Sequence, residues 1–175
     1  MAVYTHLEDY IQTLYFNLNI YRPEQLDMHH IAASLGVDIV YKKIPLMLDG
    51  EIHLQKSDKE NEWMEFGHEL CHYLRHHGCQ FDMHYLYVEL QEWQADNFMY
   101  HFCIPTFMLE KIELPKWKSE AIGLIAHTFN VDYEFASNRL ERWWGKKKFY
   151  LLDDGAQNQI KNNGGETICI VNKSL

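Results

Sequence analysis

His68-Glu69-Leu70-Cys71-His72 sets two histidines four residues apart, with a glutamate directly after the first. On an α-helix each residue advances by about 100°, so positions four apart lie within about 40° of each other. Both imidazoles can then reach one ion. Glu69, about 100° round from His68, can address water on that ion without being a ligand. Trp63, Phe66, Leu70 and Leu74 fall on the opposite side. The spacing therefore predicts a two-faced helix over residues 61–77, ending at Gly78, with an apolar side for a core and a polar side for chemistry. The plainer reading is an ordinary polar helix face in a chain that holds 11 histidines.

Two histidines do not complete a catalytic metal site, which usually takes three protein ligands and a water. The best source of a third is the following helix, predicted over about 86–104 and ending before Pro105. Its Glu92 and Asp96 stand four apart and share a face, against an apolar stripe of Ala95, Phe98 and Phe102. One acid that ligates and another that holds a ligating histidine is the expected pairing around zinc. A solvated acidic face is the alternative. His76, one turn past His72, is a substitute ligand that completes the set less well than Glu92. Cys71 and Cys79 are read as idle thiols rather than metal ligands. Tyr73, His76 and His101 have the chemistry to donate to an oxyanion, but each reads more simply as structural or surface.

The rest of the chain predicts one α+β domain. Thr5 and Glu8 form a capping box ahead of a helix over 5–19, with Leu7, Ile11, Leu14 and Leu18 at helical spacing. A second helix is expected from Pro23 to Gly36. "VDIVYKKIP" and "LDGEIHLQK" read as strands, the latter after an Asp-Gly turn with Ile52 and Leu54 on one face. The second of these, over 49–55, is expected at a sheet edge, where a peptide can add as a further strand. Ser119 is expected to cap a helix carrying Ile122, Ile125 and Phe129. Asp132 is expected to cap another, with Phe135, Ala136, Leu140 and Trp143 inside and Gly145 at its end. "YLYVELQEW" and "RWW" read as core. The expected domain spans 1–145, and 146–175 is expected to form a C-terminal β-rich extension, a small β-meander.

A formal net charge of −9 repels nucleic acid unless a basic patch is segregated, and the one basic cluster is the short Lys146–Lys148 run. "IAHTFNVDYEFASNRLERW" mimics a helix-turn-helix. Its second helix sets Asp132, Glu134 and Glu141 against Arg139 and Arg142, so direct nucleic-acid binding is not expected. No apolar run is long enough for a membrane span, no leader is recognisable at the start, and the four cysteines read as free thiols, so the expected compartment is the cytoplasm.

"FGHELCHYLRH", then "EWQADNF" and "FCIP", with "LMLDGEIHLQK" upstream and "FNVDYEFASNRLERW" downstream, resembles the ImmA/IrrE family of zinc metallopeptidases over residues 24–144. The resemblance implies a gluzincin-like fold, Zn²⁺ as cofactor, His68, His72 and Glu92 as its ligands, Glu69 as catalytic acid/base and Asp96 as the group that orients a histidine. It further implies an anti-repressor endopeptidase of a prophage, mobile element or stress response, whose partner is a helix-turn-helix repressor that it cuts. Cys71 replaces a usual glycine and Tyr100 a usual small residue, departures that bear on cleft shape and not on the ligand set. The rival class is a binding module for DNA or a regulator, with a zinc site that does no chemistry.

Overall fold

A computed structural model describes residues 4–42, 46–48, 50–76 and 83–153. Helix α1 spans His6–Asn17. Thr5 caps it, and the Glu8 carboxylate returns a bond from the Thr5 N–H at 2.7 Å, completing the expected capping box. The second predicted helix is divided. A 3-10 turn covers Pro23–Gln25, and α2 covers Met28–Leu35 with Asp27 as its own N-cap and Gly36 in the left-handed conformation at its end. The Asp27 side chain accepts the His30 N–H at 2.7 Å, which restarts the helix rather than extending the first turn.

Strands β1 (Asp38–Tyr41), β2 (Leu46–Leu48) and β3 (Glu51–Leu54) form one sheet in the order β1-β3-β2. Asp38 pairs with Glu51 in a parallel ladder, and Leu48 pairs with Glu51 in an antiparallel one. The expectation of an edge strand at 49–55 is therefore corrected. Gly50, at φ +89°, turns β3 back from β2, and the connection from β1 brings that strand to the other side. Both backbone edges of β3 are consumed, so strand addition there is excluded. Ile52 and Leu54 are fully buried, as the alternation predicted.

Helix α3 spans Lys59–Arg75, starting earlier than expected because Asp58 accepts the Asn61 N–H at 2.9 Å and ending at His76 rather than Gly78. Helix α4 spans Tyr85–Cys103. The two pack antiparallel: Trp63, Phe66 and Leu70 meet Ala95, Phe98 and Phe102, all buried. Full burial of such side chains stabilises by roughly 1.5–3 kcal/mol each, so this seam fixes the helices that carry the polar motif. The Tyr15 hydroxyl donates to the Phe102 carbonyl at 2.7 Å, tying α1 to the same seam.

Helices α5 (Thr106–Leu109), α6 (Lys118–Phe129) and α7 (Tyr133–Asp153) close the other side. Ile122, Ile125, Phe129, Phe135, Ala136, Leu140 and Trp143 are inside, as predicted. Asp132 caps α7, accepting the Phe135 N–H at 2.6 Å. Ser119 is not a cap: Trp117 occupies that place without a side-chain bond, and Ser119 lies within the first turn of α6. Gly145 does not end α7, which continues to Asp153. One glycine costs a helix only about 1 kcal/mol, and the next residue, Lys146, is anchored by the Glu8 carboxylate. The β-rich extension is not supported: residues 149–153 are helical, and 154–175 lie outside the described residues.

Candidate metal centre

Gly67 lets α3 and α4 approach. A Cβ there would meet Cys103 Sγ and Phe102 Cδ1 at 3.0 Å each, so tight that these side chains would have to shift. The next residue along is His68, so the closest part of the helix pair is also where the motif begins. His68 Nε2 lies 3.2 Å from Glu92 Oε2 and 3.3 Å from His72 Nε2, and His72 Nε2 lies 3.5 Å from Glu92 Oε1. Donor atoms about 2.0–2.1 Å from a tetrahedral zinc are about 3.3–3.4 Å from each other. The three groups therefore already stand at the spacing a zinc ion requires.

Proton accounting makes the same point. Asp96 Oδ1 lies 3.1 Å from His68 Nδ1. A carboxylate only accepts, so His68 donates through Nδ1, and in the neutral ring Nε2 carries a bare lone pair. That lone pair faces the Glu92 carboxylate, itself an acceptor. On the other histidine, His76 Nε2 is 3.0 Å from Gln94 Oε1 and His76 Nδ1 is 2.9 Å from His72 Nδ1. With the Gln94 oxygen accepting, His76 donates through Nε2, its Nδ1 accepts from His72 Nδ1, and His72 Nε2 is bare as well. Burial, reinforced by the neighbouring imidazoles against the pull of Glu92, pushes His72 down to about 4, and burial also lowers His76, so both are neutral at neutral pH. Lone pairs from two imidazoles and one carboxylate thus converge on one point, a donor set suited to a borderline-soft divalent cation. The residues fit zinc.

Glu69 stands beside this point. Burial pushes its carboxyl up to about 7, with the charges of Glu92 and Glu65 adding and that of His68 opposing. A carboxylate that exchanges its proton near neutrality suits general acid–base work.

Every residue singled out in the motif helices is accounted for by position. His68, His72 and Glu92 come together, and Asp96 meets the outer nitrogen of His68. His76 sits behind His72 instead of joining the three. His101 is about two and a half turns beyond Glu92, bonded to buried Arg139 at 3.3 Å, and takes no part. Tyr73 packs half-buried against the core. Cys71 is fully buried, and burial raises its thiol to about 12, which makes it inert. Cys79 and Cys169 lie outside the described residues. Gln94 was missed, since a neutral amide in a run of acids gives no periodic or charge signal. Gly67 was also missed, although a small residue where two apolar helix stripes meet is such a signal. "YLYVELQEW" is not core throughout: Tyr85, Leu86, Tyr87, Leu90 and Trp93 are exposed on α4, whose buried stripe begins at Gln91.

A peptidase family whose domain is described as IrrE N-terminal-like matches residues 26–141. The chain belongs to the ImmA/IrrE family. It is 45% identical over 149 residues to the phage-like element PBSX protein XkdA of Bacillus subtilis (strain 168), covering 82% of this chain and 75% of that protein. It is 36% identical over 154 residues to the uncharacterized protein YqaB of the same organism, covering 85% and 90%. No solved structure matches. The family carries peptidase chemistry and is typically metal-dependent, in keeping with the triad of His68, His72 and Glu92. Among the described residues no helix is long and apolar enough to cross a membrane.

Proposed function

We propose that this chain is a zinc-dependent endopeptidase that cleaves a helix-turn-helix repressor and so relieves repression. The observation that carries the chemistry is the triangle of His68 Nε2, His72 Nε2 and Glu92 at 3.2–3.5 Å, with each imidazole's other nitrogen donating outward. These three residues would hold the ion. Bound zinc would activate water near neutral pH and polarise the scissile carbonyl. Glu69 takes the proton from the attacking water and returns it to the leaving amine nitrogen. Asp96 holds the His68 ring in its tautomer and orientation, and His76 does the same for His72. The repressor as substrate is supported by family membership and by a relative whose name places it in a phage-like element.

The test is Glu69→Gln. The amide keeps the shape and all three ligands, so the variant should hold as much zinc as the wild type. Cleavage of a helix-turn-helix repressor that the wild type cuts should fall by about 10²–10⁴-fold or more. A zinc-loaded Glu69→Gln protein that cleaves at the wild-type rate contradicts the peptidase reading. Normal derepression in cells by that variant, with no cleavage by either protein, favours the binding module.

A further inference from the structure

A cleft of about 520 Å³ lies between α3, α4 and the start of α7, lined in part by Glu65, Met99, Tyr100, Asp132, Glu134 and Phe135. Its volume is in the range of sites that enclose a ligand group. Its place follows from the helix geometry. Glu65 is one turn before His68 and Glu69 on α3, and Met99 and Tyr100 are one turn after Asp96 on α4. Because α3 and α4 run antiparallel, these two steps lead the same way, and at about 1.5 Å per residue the cleft lies roughly 5–12 Å along the groove from the positions of His68, His72 and Glu92.

We propose that this cleft is the subsite for a lysine or arginine side chain of the substrate next to the scissile bond. The proposal rests on the peptidase reading of the neighbouring triad.

The floor and rim differ in chemistry. Tyr100 stacks on Phe135 with centroids 4.4 Å apart, and Met99 lies beside them. The two faces of Tyr100 are taken by Phe135 and the Arg142 guanidinium, so this surface offers ring edges and the Met99 side chain to a long aliphatic stem. The rim carries three carboxylates, and among the described residues that line it there is no lysine, arginine or histidine. Asp132 already caps α7, so Glu65 and Glu134 have the more charge to offer. Glu65 is half-buried and has one bond, from the Gln55 N–H at 3.1 Å. Burial raises its carboxyl, the behaviour of an acid short of a cation. Arg142 lies 4.1 Å from the Tyr100 ring centroid and bonds Asn97, outside the lining. An acidic side chain is repelled here, and a purely apolar one leaves the rim without a partner. Tyr100 and Phe135 supply the floor.

The experiment uses the zinc-loaded full chain and a positional-scanning peptide library with lysine, arginine, norleucine or glutamate at each place. At one position beside the scissile bond, lysine and arginine should be preferred over norleucine by about five- to tenfold in kcat/KM, with glutamate poorest. The preference should shrink in 0.5 M salt, because the carboxylates are partly exposed, on the order of one Debye length of screening being about 4–5 Å there. Glu65→Gln with Glu134→Gln should bring lysine and norleucine within about twofold, and Glu134→Lys should raise glutamate above lysine. Zinc content and melting curves on the same samples report folding. Binding of the same peptides to zinc-loaded Glu69→Gln protein should follow the same order. Cleavage without a basic preference, or a preference that survives the double substitution, overturns the subsite and leaves the peptidase reading standing. Ordered binding to Glu69→Gln with no cleavage by the wild type supports the subsite and overturns the peptidase reading.

Discussion

Two polar clusters lie along α4, and they are finished in opposite ways. Around His101, the carboxylate of Glu8 is buried with Thr106, Arg139 and Lys146. Glu8 accepts from Thr106 Oγ1 at 2.8 Å and from Lys146, and Arg139 donates to the Ile104 carbonyl at 3.2 Å and to Thr106 Oγ1 at 2.7 Å. Every charge there has a partner of the same chain. Around His68 the inner lone pairs of two imidazoles and a carboxylate converge on one point. The first cluster spends its charge on holding α1, α5 and α7 to α4. The second brings three possible ligand atoms within reach of one metal ion, and that contrast distinguishes two polar clusters built of the same residue types.

The strongest way to break the comparison is at Arg139. Arg139→Ala leaves the Ile104 carbonyl and Thr106 Oγ1 without their guanidinium donor and takes a nearby positive charge from the buried Glu8 carboxylate, and should destabilise by about 3–5 kcal/mol in chemical denaturation. His68→Ala in metal-free protein should cost far less stability, within about 1 kcal/mol, while abolishing zinc binding. Equal losses would erase the distinction.

Acid gives the next effect. Burial alone would raise the Glu8 carboxyl, but bonds from Lys146, the Thr5 N–H and Thr106 hold it at about 2, below its ordinary 4.5. A lowered acid stabilises fully above its unfolded value, and that contribution is lost as pH falls from about 4.5 toward 2. The expected loss is about 2–3 kcal/mol. Glu8→Gln should flatten that part of the stability–pH curve, measured by urea denaturation at pH 6 and pH 3.

On the cation side, Asp96→Ala removes the acceptor for His68 Nδ1 and should weaken zinc binding by about ten- to hundredfold. His76→Ala should act in the same direction through His72, with the smaller effect because a water can replace the imidazole as acceptor. A chelator competition titration measures both. Unchanged affinity in both variants would mean that the outward bonds do not tune the site.

What was legible in the sequence was local or periodic. Thr5 and Glu8 are three apart, and their capping box forms as read. The apolar stripes of α3 and α4 follow from the 3.6-residue period, and so does the shared face of Glu92 and Asp96. What was not legible depended on distant partners. Gly145 looks like a helix stop by a local rule, but Lys146 reaches Glu8 across the fold and α7 runs on. The alternation of β3 was readable, while its central place was not, because strand order is set by where β1 and β2 return. Spacing alone makes His76 a substitute ligand. Only the position of Gln94, on another helix, shows that it turns its nitrogen to the back of His72. The aromatic residues at the start of α4 read as core in the sequence but are exposed, because composition does not say where a helix leaves the core.

The central claim is that His68, His72 and Glu92 hold a zinc ion together, and zinc titration of metal-free protein tests it most directly. The wild type should bind one zinc per chain and melt at a higher temperature with it, since a ligand at about 1,000 times its Kd adds about 4 kcal/mol. Glu92→Gln should lose most of that affinity and of the thermal gain. Wild-type protein that takes up no zinc, or takes it up as tightly after Glu92→Gln and His68→Ala, would contradict the account.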